Sequence, residues 1–221
     1  MAGKTTDTRP RRRPGRPQKD AGLDTVGAIL DAALDEFATF GFEGARISEI
    51  ARKAGVANPL IHYHFETKER LFQEVVERIF EEMREQLSAD ARDLRDLAPL
   101  DFAKVFLRRY VRFVARRPAL ARLILVEAYK DDERARWLLE NHVDPMREYV
   151  LKAIERAQEM GIFRPIPADI LLSIGNGGMN LFFNEAQIAA TMKGKTIGDR
   201  EIEEFADHLI DLFLNGIVVK S

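Results

Sequence analysis

The sequence predicts an all-α protein of nine helices. Along most of the chain after residue 22, apolar side chains recur at spacings of three and four, the pattern of amphipathic helices. No segment alternates convincingly at the two-residue period of a half-buried strand. Glycine and proline fall between the apolar stripes, where they end or begin helices. These three observations together predict helices joined by short connections.

The composition permits a sizeable core and excludes several kinds of site. Of the 221 residues, 46% are apolar and none is cysteine, which excludes disulfides and sites built on thiolates. No apolar run approaches the roughly 20 residues of a transmembrane helix. The basic N-terminus is not followed by the apolar stretch of a secretory signal. We therefore expect a cytoplasmic protein without a membrane partner.

Capping residues and glycines delimit the first four predicted helices. Gly41 and Gly55 follow apolar stripes and end the first and second helices. Asn58 is a favourable N-cap, and Pro59 suits the first turn of the third helix. Thr67 caps the fourth. The predicted ranges are 24–40, 47–54, 58–65 and, for the fourth helix, from the cap to 83.

Prolines and glycines also divide the second half of the chain. Pro118 and Pro167 begin helices, Gly161 ends one, and Asp199 caps the last. Pro145 should kink or divide the seventh helix, because proline lacks the backbone donor for its turn. The predicted ranges are 100–116, 118–129, 133–160, 167–190 and 199–216, preceded by a polar linker at 88–99.

The first 22 residues form a basic arm without an apolar period, which we expect to be disordered in isolation. Residues 1–20 hold seven basic and two acidic side chains, whereas the whole chain has a net charge of −2. The remainder therefore carries −7. A positive arm on a negative body predicts a local contact with a polyanion.

The second and third helices form a helix-turn-helix pattern. Two short helices are joined by a tight turn, Gly-Val-Ala-Asn at 55–58. In such a unit the second helix enters the major groove of DNA.

The segment 47–65 resembles the TetR/AcrR family of repressors, as do Gly-Phe-Glu-Gly at 41–44 and Lys68. The Gly-Val turn, the Tyr-His-Phe ending and the lysine occur together at the family's spacing, so the resemblance is specific. It implies a nine-helix TetR-like fold. A three-helix DNA-binding head would occupy residues 23–83, and an effector-binding, dimerising body residues 84–221.

The resemblance implies DNA contacts for side chains of the second and third helices. Asn58 is placed to reach an adenine edge, and Pro59 and Leu60 to meet a thymine methyl group. Phosphate contact is implied for His62, Tyr63, Lys68 and Arg46, base or phosphate contact for Ser48, and a groove-facing position for His64.

Two residues depart from the family's pattern. Arg46 stands where the family often has threonine, so it adds a charge for phosphate and removes a helix cap. His62 stands where tyrosine is frequent, so it keeps a donor and loses reach. The preferred operator therefore cannot be copied from a relative.

The aromatic run 62–65 also permits a plainer interpretation, a half-exposed aromatic cluster with Phe65 in the core. We favour DNA contact for Tyr63, since so short a helix buries few faces. His62 and His64 are two positions apart and do not share a helical face, so we expect no metal site.

The arm contains Gly-Arg-Pro between further arginines, which resembles the core of an AT-hook. Proline and glycine keep such a segment narrow, and arginine fits the negative minor groove of A·T tracts. The alternative is a solubilising tail. The arginines assigned to the minor groove are Arg11, Arg12, Arg13 and Arg16.

Residues 175–183 place three glycines inside a predicted helix, where each costs about 1 kcal/mol relative to alanine. A phosphate loop is excluded, because no strand precedes this stretch and the P-loop lysine is missing. Either the small residues let another helix approach closely, which we favour, or they leave space for a pocket. The family pairs helices eight and nine across a dimer. The candidate dimer residues are Gly175, Gly178, Phe205, Leu209, Leu212 and Phe213.

Large rings and a few amides on the predicted body helices suggest a small-molecule pocket, although each residue taken alone is better explained by core packing than by ligand contact. Rings and methionine outnumber charges, which favours a hydrophobic or aromatic effector. The candidates are Phe106, Tyr110, Trp137, Asn141, Met179, Asn180 and Phe183.

The sequence therefore predicts a homodimeric repressor on a palindromic operator, with recognition helices about 34–36 Å apart and DNA released by the effector. We find no catalytic constellation, metal site or cofactor motif. One alternative is a ligand-binding or protein-interaction module whose helix-turn-helix no longer reads DNA. A helical enzyme is another alternative. An activator is not distinguished from a repressor.

Overall fold

A computed structural model describes residues 19–194 and 197–217, and nine helices without a strand make up this part of the chain. The seventh helix is continuous but changes its hydrogen-bond register midway, so we count its three segments as one. The all-α expectation is confirmed. The helices are α1 (Lys19–Gly44), α2 (Ile47–Ala54), α3 (Asn58–Phe65), α4 (Lys68–Asp93), α5 (Pro99–Arg116), α6 (Pro118–Ala128), α7 (Glu133–Leu138, Leu139–Val143 and Asp144–Glu159), α8 (Ala168–Lys193) and α9 (Asp199–Ile217).

Most of the helix ends and caps predicted for the first four helices are observed. Gly41 has a φ of 67° and kinks α1, which continues for one more turn to Gly44. Gly55 ends α2 in the left-handed conformation, with a φ of 69°. The hydroxyl of Thr67 accepts a 3.0 Å hydrogen bond from the backbone N–H of Arg70 and so caps α4. The side chain of Asn58 is not a cap, because the N-cap position of α3 belongs to Ala57.

The polar linker predicted at 88–99 is half helix. α4 continues to Asp93, because the carboxylate of Asp90 is buried and has partners on two sides. It accepts hydrogen bonds from Gln86 Nε2, at 2.9 Å, and from Arg109 on α5. A polar residue thus faces inward, which a hydrophobicity pattern does not reveal. Only residues 94–98 connect α4 to α5.

Pro145 disturbs α7 as expected, but the helix widens instead of breaking. The five residues before Asp144 form a π-helical turn, Leu139–Val143. Proline cannot donate to the preceding turn, and its ring crowds the carbonyl four residues back. A π turn relieves that crowding while the chain stays helical.

Two main clusters form the core. The larger one joins α1–α4 to α6 and α7, with Phe37, Phe72 and Phe80 at its centre and Leu123 and Leu138 from the later helices. The second joins α5, α8 and α9. The boundary predicted at 83/84 falls inside α4, and the first core spans it. Within the described ranges, no helix has the length and apolar character needed to cross a membrane.

Candidate nucleic-acid interface

The short helix α3 is anchored on one side and free on the other. Ile61 and Phe65, one turn apart, are buried in the core that α3 shares with α1 and α4. Tyr63 projects from the opposite side with 80% of its surface exposed. The predicted DNA-facing residues Asn58, Pro59, His62 and His64 are also exposed, and Leu60 is half-buried.

The helix α2 holds α3 in place and exposes its own first turn. Ile50 and Ala51 are buried, and the backbone N–H of Val56 donates to the carbonyl of Ala51 at 3.0 Å to close the turn. Arg46 and Ser48 stand exposed at the start of α2. Arg46 occupies the N-cap position without a side-chain cap bond, in line with the expected loss of a cap.

A buried carboxylate that the hydrophobic pattern did not reveal fixes α2 on α1. Glu36 is 2% exposed and accepts a 2.6 Å hydrogen bond from Lys53 Nζ. Its other oxygen lies 3.4 Å from the donating backbone N–H of Arg46. Glu36 thus ties both ends of α2 to the first helix.

Lys68 is partly engaged within the protein. Its ammonium donates to the carbonyl of Glu43 at 3.3 Å and lies 4.8 Å from the ring centre of Phe42. It therefore braces the link between α1 and α2 at the start of α4. A contact to phosphate would use its two remaining N–H donors.

A second buried carboxylate connects this region to the later helices. Glu127 of α6 is fully buried and accepts hydrogen bonds from the backbone N–H of Phe42 at 2.8 Å and from Lys130 Nζ at 2.8 Å. Arg134 of α7 donates to its other oxygen at 3.3 Å and stacks 3.8 Å from the ring centre of Phe42.

The kink at Gly41 makes room for this contact. A Cβ at Gly41 would lie 3.2 Å from Glu127 Oε1 and 3.2 Å from a methyl of Val126, in a left-handed conformation that side chains disfavour. The sequence predicted Gly41 only as the end of a helix. Phe42 and Glu127, which form the hydrogen bond next to it, are 85 residues apart in the chain, and no local pattern predicts their contact.

The seven candidate effector residues lie in two places. Tyr110 stacks with Phe106 and donates from its hydroxyl to Asn176 at 3.0 Å, and burial raises the pKa of Tyr110 to about 12. Met179 and Phe183 are buried near Tyr110 in the second core, with Asn180 half-buried on the same helix.

Trp137 lies instead on the first core, against Phe72 and His142. Asn141 is exposed and donates to the carbonyl of Trp137 at 2.9 Å. Two cavities in the described part of the chain, one beside Arg109 and one beside Leu30, have none of these seven residues in their lining.

Gly175 and Gly178 of α8 lie in different surroundings. A Cβ at Gly175 would lie 3.2 Å from the ring of Phe213, so α8 and α9 approach closely at this point. Gly178 faces open space. Beside it runs an exposed apolar stripe on α8. Leu212 of α9 is also exposed, to 73%. The α8 stripe consists of Ile170, Ile174, Leu181, Ile188 and Met192.

The predicted minor-groove arginines Arg11, Arg12, Arg13 and Arg16 lie outside the described residues. In the residues that the structure does describe, no three metal-ligating side chains come together.

Comparison with known proteins agrees with this geometry. Residues 29–75 match the model of the family described as bacterial regulatory proteins, tetR family. Over 100 residues the chain is 37% identical to the regulator RutR of Escherichia coli K12, a match that covers 45% of this chain and 46% of RutR. Over 151 residues it is 29% identical to the repressor SCO4008 of Streptomyces coelicolor, covering 67% of this chain and 72% of the repressor. The chain thus spans under half the length of RutR.

The whole fold also occurs among solved structures. A fatty acid metabolism regulator of Clostridium perfringens superimposes with a TM-score of 0.67 at 22% identity, covering 87% of this chain and all of that one. At this identity the likeness concerns the fold alone.

Proposed function

We propose that the chain is a member of the TetR family of bacterial regulatory proteins, whose model residues 29–75 match, and that it is a dimeric, ligand-responsive regulator of transcription that acts in the cytoplasm. It binds a palindromic operator through α2 and α3 and is released as a repressor when a small hydrophobic or aromatic effector binds the later helices. The basic arm adds contacts in the minor groove.

The exposed side of α3 is the observation that carries this proposal. The helix needs only Ile61 and Phe65 to hold it on the core, and it presents an amide, two imidazoles and a phenol outward. Such groups are suited to base edges and phosphates. A module that no longer reads DNA would have no use for this polar, aromatic surface, so that alternative is less well supported.

Dimerisation through α8 and α9 is supported by the exposed α8 stripe, which includes Leu181, and by the exposed Leu212 of α9. An apolar surface of this extent on an isolated protomer calls for a partner. Two copies of α3 would then read two half-sites one helical turn apart.

An apolar effector is supported by the ring stack that leads from Phe106 to Tyr110 and by the amide of Asn176 at its end. Rings that surround one or two polar groups are typical of sites for small molecules. Any such ligand acts on DNA only through a difference in its affinity for the two states of the dimer.

Selection of bound duplexes from a random library, with the full-length protein, tests the DNA-binding function. We expect a palindromic sequence to be enriched. Asn58→Ala should lower discrimination at one or two base pairs by about 1–3 kcal/mol and leave the salt dependence nearly unchanged. Deleting residues 1–20 should reduce the log–log salt slope by roughly two to four and spare most of the sequence preference.

Arg147→Gln is the matched control, since Arg147 is exposed on α7 far along the chain from α3. It should bind the selected duplex like the unaltered protein. If no sequence is enriched, or if Asn58→Ala and Tyr63→Ala both leave discrimination intact, α3 is not the reading helix.

A further inference from the structure

A cavity of about 450 Å³ lies between α4, α5 and the start of α6, apart from every residue assigned above to DNA or to the apolar effector. Its size falls within the range of small-molecule sites and far exceeds the space of one water molecule. Four of its seven lining residues are arginines, and one is a carboxylate. The lining residues are Glu82, Gln86, Arg109, Arg112, Phe113, Arg116 and Arg117.

Three of the arginines are fixed by ion pairs with carboxylates, which belong either to residues outside the cavity or to its lining. Arg112 donates from Nε and Nη2 to Glu203 of α9, at 2.5 and 2.9 Å, and these bonds lower the pKa of Glu203 to about 2. Arg109 is paired with Asp90. Because a guanidinium has five N–H donors, each anchored arginine keeps donors for a further partner.

Arg116 is different. It is exposed and makes no ion pair or hydrogen bond with any residue in the described ranges. The free guanidinium of Arg116 lies beside three others that are already paired with carboxylates, namely Asp90, Glu203 and Glu82, so Arg116 carries the unpaired positive charge of this wall. Fixed guanidinium groups favour oxyanions that they can bind in bidentate fashion.

The position of the cavity argues against DNA as the occupant. Glu82 lies 14 residues beyond Lys68 on the same helix, and at 1.5 Å of rise per residue this is roughly 21 Å from the start of α4. Phe113 adds an aromatic ring to the lining of the cavity.

We propose that this cavity binds a small molecule that carries two or more neighbouring phosphate groups on a flat or apolar body. The phosphates lie against Arg109, Arg112, Arg116 and Arg117, and the body of the ligand lies against Phe113.

The cavity is linked to α1 by a chain of ion pairs. Arg117 Nη2 lies 2.7 Å from Glu82, and the second oxygen of Glu82 lies 3.2 Å from Arg78 Nε. Arg78 in turn donates to the carbonyl of Gly27 at 3.2 Å and pairs with Asp31 at 3.2 Å. A phosphate on Arg117 weakens the pair with Glu82 and leaves that carboxylate to Arg78. A resulting change in operator affinity rests on the proposed function.

Calorimetric titration of the full-length protein at constant ionic strength tests the site without DNA. The probes are ADP, inorganic pyrophosphate and adenosine. We expect saturable binding of ADP, weaker binding of pyrophosphate, and none of adenosine. Arg116→Gln should weaken ADP binding about tenfold, because it removes a charged hydrogen-bond donor that has no role in the fold. Arg147→Gln, at an exposed arginine away from the cavity, should leave binding unchanged.

The proposal is overturned if ADP does not bind at millimolar concentration, if adenosine binds as tightly, or if the two arginine variants behave alike. In a second measurement, ADP should change operator affinity about fivefold or more in the unaltered protein and not in Arg116→Gln. A protein that binds ADP and no DNA would contradict the proposed function and leave the site standing. Unchanged operator affinity with ADP bound would refute the link through Glu82.

Discussion

At the scale of single residues, two buried carboxylates organise the region around α3, the proposed recognition helix. Glu36 fastens α2 to α1, and Glu127 fastens the link after α1 to α6 and α7. Buried charges are stable only when they are paired and hydrogen-bonded, and Glu127 has three donors. Arg134 adds the face of its guanidinium to the ring of Phe42.

Glu127→Ala should lower the free energy of unfolding by about 3 kcal/mol or more. The substitution removes the carboxylate that accepts from the backbone N–H of Phe42 and from Arg134 Nε. The other nitrogens of Arg134, a side chain that is 11% exposed, keep Asp132, Glu43 and Glu69 as acceptors. Chemical denaturation measures the loss. The double variant Glu127→Leu with Arg134→Met should recover part of it, since it removes both charges.

Glu49→Gln is the matched control, because Glu49 pairs with Arg52 on the surface of α2. It should change stability by no more than about 1 kcal/mol. An equal loss of stability in the Glu49 and Glu127 variants would show that the buried ion pair stabilises the fold no more than the surface pair does.

Residue patterns predicted the apolar contacts well and the polar ones poorly. Phe65 was recognisable as a core residue, and Gly55 as the end of α2 from its place after an apolar stripe. Glu36, Asp90 and Glu127 look like surface carboxylates in the sequence, because their partners come from other helices. Their burial depends on the tertiary arrangement.

At the scale of elements, the π turn of α7 brings an imidazole into the first core. His142 lies on Leu139–Val143 and is 8% exposed, between the rings of Phe80 and Trp137. Its Nδ1 is buried without a partner among the described residues. Burial, with a smaller contribution from Arg84, lowers the pKa of His142 below its ordinary value of 6.5.

The lowered pKa predicts a loss of stability in mild acid. Below about pH 6.5 the unfolded chain takes up a proton at this imidazole before the folded chain does, so the folded state loses stability as pH falls through that range. We compare pH 7.5 with pH 5.5, since these values bracket the ordinary histidine pKa of about 6.5. Between them, the urea midpoint of unfolding should drop more in the unaltered protein than in His142→Gln. His208→Gln, at an exposed position of α9, should follow the unaltered protein. Equal pH dependence in all three proteins would refute this role for His142.

The elements themselves were largely predictable, and their exact ends were less so. The stripes and prolines predicted nine helices in the right order. The end of α4 could not be predicted, because the polar stretch after Ser88 contains the buried Asp90, whose partner Arg109 comes from another helix. Likewise Pro145 predicted a disturbance but not its form.

At the scale of the whole molecule, the exposed stripe of α8 and the exposed Leu212 of α9 determine how the protein is expected to assemble. Phe213, a candidate for the interface, packs inside the protomer against Gly175, so its substitution would disturb the fold as well. Leu181 and Leu212 are 63% and 73% exposed, so their substitution should not disturb the packing within the protomer.

Leu181→Asp and Leu212→Asp should each convert a dimer to monomers at micromolar concentration, as measured by sedimentation. Two like charges would face each other or lie close across a twofold interface. Tyr149→Asp is the control, since Tyr149 is exposed to 51% on α7, away from the stripe. A monomeric unaltered protein, or dimers that survive both substitutions, would contradict assembly through this surface.

The shared core of α1–α4, α6 and α7 bears on how such a regulator diversifies. Leu123 of α6 and Leu138 of α7 belong to the same core as α1–α4, so the unit that carries α3 has no separate core of its own. Grafting residues 24–83 onto a different body would uncover aromatic and aliphatic side chains that now face α6. Under the proposed function, a recombination point between the DNA-reading and effector-binding parts would therefore have to preserve the packing face of α6. Operator preference would then be inherited together with that neighbouring helix.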